Sequence, residues 1–211
     1  MRLRIQLRKK PMDLSASRLC TAFAGETRIA AGGLRYVASQ AKAWIDHGEN
    51  APILIFDNLT SEVIEVDFRG SADEVAARFL EPTAQPPAQD PIPEQPRGRG
   101  RPKLGVVARE VTLLPRHWEW LRKQPGGASV ALRKLVEQAR RDNQARDRVR
   151  DAQTAVYRFM TTIASHLPEY EEALRALYAG NAKQFQQEIA NWPPDIASHI
   201  KKLALPAFNA Q

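Results

Sequence analysis

The sequence predicts an α+β chain built in several parts, and three observations carry that reading. The first eighty residues hold two hairpin patterns, each followed by a helical one; Glu81 to Pro96 contains six prolines; and apolar residues recur at helical spacing through the C-terminal half. The division that follows is a basic extension at 1–17, an acidic ββα-ββα domain at 18–80 and a proline-rich linker at 81–96. After it come a basic motif at 97–103, a strand-helix-helix module at 104–146 and a helical region at 147–205. The 211 residues, 43% of them hydrophobic, are enough to bury a core.

In the first body, Cys20–Ala24 and Thr27–Ala31 flank Gly25-Glu26 as a hairpin, and Leu34, Val37, Ala38, Ala41 and Ile45 place one apolar face on a helix from Leu34 to Ile45. Pro52–Phe56 and Val63–Phe68 bracket a second turn at Asp57–Ser61. Ser71 then caps a short helix with Asp73 and Glu74 in its first turn. Two helices on one face of a four-stranded sheet bury both apolar stripes, and the mixed acidic and apolar residues of Val63–Asp67 predict that the other face meets water. Cys20 reads as a small strand hydrophobe. With a single cysteine the chain forms no internal disulfide, which fits a reducing cytoplasm.

Six prolines in sixteen residues favour an extended spacer of about 3.1 Å per residue, across which few contacts are expected. Charge divides there too. Residues 12–96 hold six basic and thirteen acidic side chains, a net −7, whereas residues 97–150 hold fifteen basic and five acidic, a net +10, within a chain of formal charge +7. A local excess of ten positive charges suits a polyanion, because each neutralised phosphate releases condensed counterions.

Within that segment, Arg97, Arg99, Gly100, Arg101, Pro102 and Lys103 set guanidinium groups on a glycine-spaced backbone slim enough for a DNA minor groove. The run resembles an AT-hook, a resemblance that implies insertion of the Arg-Gly-Arg-Pro core into narrow A·T-rich grooves, whose negative potential attracts arginine. A solvated basic linker is the plainer description of the same residues.

Beyond it, Val106–Leu114 is rich in β-branched residues, Pro115 suits the first position of a helix over Arg116–Gln124, and Pro125-Gly126-Gly127 stops that helix. Ser129 is placed to cap the next, from Val130 through Ala139. Strand, helix, glycine turn and helix resemble a ribbon-helix-helix module. In that class one strand from each of two subunits pairs in the major groove, and the N-terminus of the second helix, here Ser129 and Val130, holds a phosphate. The outward strand set is Glu110, Thr112 and Leu114 in one register and Arg109, Val111 and Leu113 in the other; a helix-turn-helix also fits two short helices around a glycine turn. Arg109, Thr112, Ser129 and Arg133 join the six hook residues as the expected DNA contacts. A homodimer is expected, with a protein partner or ligand left open for the first body.

More broadly, the run from Arg97 to Leu121, the segment Gln124–Val136, Phe23-Ala24-Gly25, Ile55-Phe56-Asp57, Leu167-Pro168 and Glu171–Asn181 resemble a family of uncharacterised bacterial proteins, a domain of unknown function. The resemblance implies bacterial origin and shared architecture and brings no activity with it.

Arg140–Asp151 is polar all round, either a solvated helix or a frayed hinge, before periodicity resumes at Val149, Ala152, Val156, Phe159, Met160 and Ile163. Pro168 with Glu169, Glu171 and Glu172 opens a helix that Gly180 ends; Asn181 and Gln184 resemble a cap; and Trp192-Pro193-Pro194 precedes a last helix over Ile196–Leu203.

No phosphate-cradling glycine loop stands between a strand and a helix, and the four histidines are scattered without a cysteine partner. Asp57, Glu65 and Asp67 read as turn and solvated-face residues. The expectation is therefore a non-enzymatic, cytoplasmic, nucleoid-associated DNA-binding protein with no metal, cofactor, secretory leader or membrane span. A protein-interaction adaptor with a basic tether and an RNA-binding protein are the alternatives.

Overall fold

A computed structural model describes residues 18–48, 51–79 and 109–209. Its elements, in chain order, are β1 (Leu19–Ala24), β2 (Thr27–Gly33), α1 (Leu34–Asp46), β3 (Ile53–Asp57) and α2 (Ala72–Ala77). There follow α3 (Pro115–Arg122), α4 (Gly127–Ile163), α5 (Tyr170–Tyr178), α6 (Ala182–Glu188) and α7 (Pro194–Phe208). The chain is thus α+β. It groups into two units, residues 1–83 with 146–211, and residues 84–145.

The first unit is built on an antiparallel sheet of order β2-β1-β3. Because side chains alternate across a strand, β1 and β3 sort their residues cleanly. Cys20, Ala22, Ile53 and Ile55 meet Leu34, Val37, Ala38 and Ala41 of α1 and Val75 of α2, while Phe23, Leu54 and Phe56 join the helices of the C-terminal half. α1 and the Ser71 capping box of α2, in which Ser71 Oγ accepts from Glu74 N at 3.2 Å, form where the sequence puts them.

The second hairpin differs from expectation. Val63–Phe68 is no full strand: pairing with β3 ends at one bridge, Phe56 with Val63, and the Ile64 N–H donation to Ile55 O at 2.7 Å. The reason lies in Arg78, whose guanidinium donates to the carbonyls of Asp67 and Arg69 and draws that end of the run toward α2. Three strands result among the described residues, not four.

A larger difference concerns the far face of the sheet, which is covered rather than wet. Phe23 and Phe56 share one cluster with Val156, Phe159 and Met160 of α4, Leu174 and Leu177 of α5, Phe185 of α6 and Ile196 and Ile200 of α7. The bodies that the sequence separates at the proline-rich segment therefore share a core, and many contacts join residues on its two sides. Polar ties reinforce it: Arg28 N donates to Asp195 Oδ2 at 2.9 Å and Arg158 Nη1 to Thr60 O at 3.2 Å.

α4 runs unbroken for 37 residues, so the polar stretch Arg140–Asp151 is helical. α5 and α6 match the sequence reading, with Asn181 Oδ1 accepting from Gln184 N at 3.1 Å. α7 outruns it, continuing through Pro206 to Phe208, since buried Ala204 and Ala207 and the Phe185–Phe208 ring contact hold the last turn. No helix among the described residues is long and apolar enough to cross a membrane.

Candidate functional site

The hook, Arg97–Lys103, and the linker before it lie outside the described residues. Arg109 and Thr112 are exposed on a segment that forms no strand. This corrects the expected strand over its described part, Arg109–Leu114, and the physical reason is that a single strand needs a ladder partner, which a ribbon would draw from a second chain. Leu114 ends the segment as the N-cap of α3, with Pro115 at the first helical position. Gly126, at φ +84, turns the chain into α4, and a Cβ there would stand 3.1 Å from Val130 Cγ1, so the turn requires glycine. α4 starts at Gly127. Ser129 accordingly sits in its first turn instead of capping it, and no acidic residue shares that turn.

Around these residues, Arg109, Arg116, Arg122, Lys123, Arg133 and Lys134 are all exposed. None forms an ion pair among the described residues, whereas Arg140 and Arg141 reach Glu137, and Arg150 reaches Asp147. The same segment buries little apolar surface. Leu121 and Ala131 are its buried hydrophobic residues among those described, while Val111, Leu114, Trp120, Leu135 and Val136 are exposed.

A second feature belongs to the first unit, and sequence reasoning missed it. A cleft of about 410 Å³ opens beside β1 and β2, lined by Thr21, Arg28 and Asn58 from the sheet side and by residues of α4 and α7. The turn after β3 is held by Asp57: its Oδ1 accepts from Leu59 N at 2.8 Å and Thr60 N at 2.7 Å, and its Oδ2 accepts from Arg18 Nε. Burial works to raise the Asp57 pKa, but the Arg18 contact and these backbone donors outweigh it and lower it. On that fixed turn Asn58 Oδ1 accepts from the Thr21 hydroxyl at 2.7 Å.

His199 of α7 forms part of the cleft wall, its ring centroid 5.4 Å from Phe23 and 4.6 Å from Phe159. Burial above all, with Arg28 and Lys202 adding repulsion, pushes its pKa down to about 4, so the imidazole is neutral at physiological pH. Its Nε2 is buried and has no hydrogen-bond partner among the described residues. The one sequence signal for this cleft was the spacing of His199 and Lys202, three apart and hence on one helix face; nothing in the pattern linked them to Arg28 or Arg148.

Residues 19–204 match the family described as an uncharacterized protein conserved in bacteria (DUF2239). The chain belongs to this family. The matched span begins at the first residue of β1 and ends inside α7, so it takes in the sheet, the basic helices and every cleft residue but Pro206. Among curated proteins and among solved structures, nothing matches this DUF2239 chain.

Proposed function

We propose that the chain is a DNA-binding protein, of transcriptional-regulator or nucleoid-associated type, that anchors in A·T-rich minor grooves through Arg97–Lys103 and grips the adjoining backbone with the segment after it. One observation carries the reading: six exposed cations, Arg109, Arg116, Arg122, Lys123, Arg133 and Lys134, have no ion-pair partner among the described residues and lie on a segment of net +10. Surface arginines and lysines whose charge is not needed within the chain are available to phosphates, and each phosphate met releases counterions. The N-terminus of α4, with Ser129 in its first turn and no acid beside it, adds backbone N–H groups of the kind that hold a phosphate.

The reading includes a homodimer. Val111, Leu114, Trp120, Leu135 and Val136 are exposed on a segment with two buried hydrophobic residues among those described, and a second copy would cover the apolar side chains and pair the backbone of Arg109–Leu114 into a ribbon.

Binding of the full chain to matched A·T-rich duplex, G·C-rich duplex and structured RNA, followed by fluorescence anisotropy over a range of salt, tests the proposal. Tighter, salt-dependent binding to the A·T-rich duplex is the expected result. Preference for RNA would favour the RNA-binding reading, and no binding to any of the three would leave the basic segment as a tether for a protein adaptor.

A further inference from the structure

The sheet register explains how a cation comes to stand in the cleft. β1 pairs with β2 as Thr21 with Ala31 and Ala22 with Ala30, but Phe23 then pairs with Arg28, leaving Ile29 as an extra residue. Paired residues face the same side of a sheet, so without this bulge Arg28 would lie on the α1 side and Ile29 on the cleft side. The bulge reverses the two. Ile29 packs with the α1 cluster, and Arg28 joins Thr21 and Ala31 at the cleft. Bulges are over-represented at sheet edges, where β2 lies, and beside active sites, where they re-aim a side chain.

Arg28 is met there by Arg148 of α4 and Lys202 of α7, and none of the three forms an ion pair among the described residues. Among the described residues Asp151 is the single acid in the wall and His199 is neutral, so cations outnumber carboxylates there three to one. Asn58, oriented by Thr21, keeps its Nδ2 donors without a partner among the described residues. The remaining wall is apolar, supplied by Ala152, Ala155 and Leu203 among others. At about 410 Å³ the cleft falls within the size range of small-molecule sites, which combine an apolar wall with a few convergent polar groups.

We infer that this cleft binds a small organic oxyanion, a carboxylate or phosphate ester on a compact apolar body, with Arg28, Arg148 and Lys202 holding the anionic group and Asn58 directing it. The apolar body lies against the α4 and α7 wall, where Ala152, Ala155 and Leu203 stand. The site uses none of the six exposed cations assigned to phosphate contact, so this inference stands or falls independently of DNA binding.

Calorimetric titration of the full-length chain with phenyl phosphate, benzoate and the neutral control benzyl alcohol tests it. Saturable binding of one or both anions, with none of the alcohol, is expected, and the better anion distinguishes phosphate from carboxylate. Arg28→Gln and Lys202→Gln should each weaken that binding about tenfold, while Lys183→Gln on α6 leaves it unchanged. Lys202 is exposed, so its variant keeps the test meaningful if Arg28→Gln fails to fold. Absence of binding by both anions, equal binding by the variants and parent, or displacement of phenyl phosphate by a short DNA duplex would each overturn the assignment.

Discussion

Phe23 of β1 and Phe159 of α4 lie with ring centroids 5.3 Å apart and both are fully buried, which ties the strand before the proline-rich segment to a helix that follows it. Phe56 closes the group at 4.8 Å from Phe159. Three aromatic rings in tilted and edge-on contact contribute packing beyond their buried area.

Phe159→Ala should therefore destabilise the whole first unit by about 3–5 kcal/mol, because a large cavity opens where Phe23, Phe56 and His199 meet. A fragment covering residues 13–80 should not fold by itself, since Phe23, Leu54 and Phe56 would face water. Denaturant unfolding of the variant and far-UV circular dichroism of the fragment check both outcomes. A cooperatively folded fragment would contradict the shared core.

Replacing Arg99 and Arg101 together by alanine is expected to weaken binding to A·T-rich duplex several-fold and to reduce the salt slope by roughly 1.8, the value for two lost charge contacts. Anisotropy at three or more salt concentrations measures both. Unchanged affinity at matched salt would rule out the minor-groove anchor.

Stability should fall as the pH drops from about 6.5 to about 4. His199 titrates at about 4 in the folded chain against a reference of 6.5, so between these values the unfolded state binds a proton that the folded state does not, and stability rises with pH. The lowered Asp57 pKa adds a further loss below its reference value of 3.8, where protonation weakens its hold on Arg18 and the turn. His199→Phe should flatten the upper window and leave the lower one, as followed by thermal melts across pH.

Cys20 is fully buried, and burial, with Asp57 nearby, pushes its thiol up to about 12. The thiolate is the reactive form, so alkylation by iodoacetamide at neutral pH should be negligible in the native chain and should track global unfolding. Mass spectrometry of quenched samples along a denaturant series reads this directly. Rapid labelling without denaturant would mean that β1 opens locally.

Light scattering should give the mass of a dimer at micromolar concentration, and Leu135→Lys with Val136→Lys should reduce it to a monomer. Both side chains are more than half or about half exposed, at 50% and 59%, so the substitutions interfere with association without disturbing a core. A parent chain that is already monomeric would remove the ribbon from the proposal.

What the sequence by itself determined is local. The face of α1, the Ser71 and Asn181 caps, Pro115 at the start of α3 and the glycine stop before α4 depend on residues within one or two turns of each other, so spacing alone specifies them. The runs Leu19–Ala24 and Ile53–Asp57 also carried an unread hint: continuous apolar strands are covered on both faces. Tertiary structure decided the rest. Which helices cover the second face and that Arg28 gathers with Arg148, His199 and Lys202 depend on groups more than a hundred residues apart and on one bulge that reverses a strand's faces, while the Val63–Phe68 run leaves the sheet through Arg78, a contact that periodicity does not register. Periodicity describes which side of an element is apolar, but packing between distant elements chooses its partner.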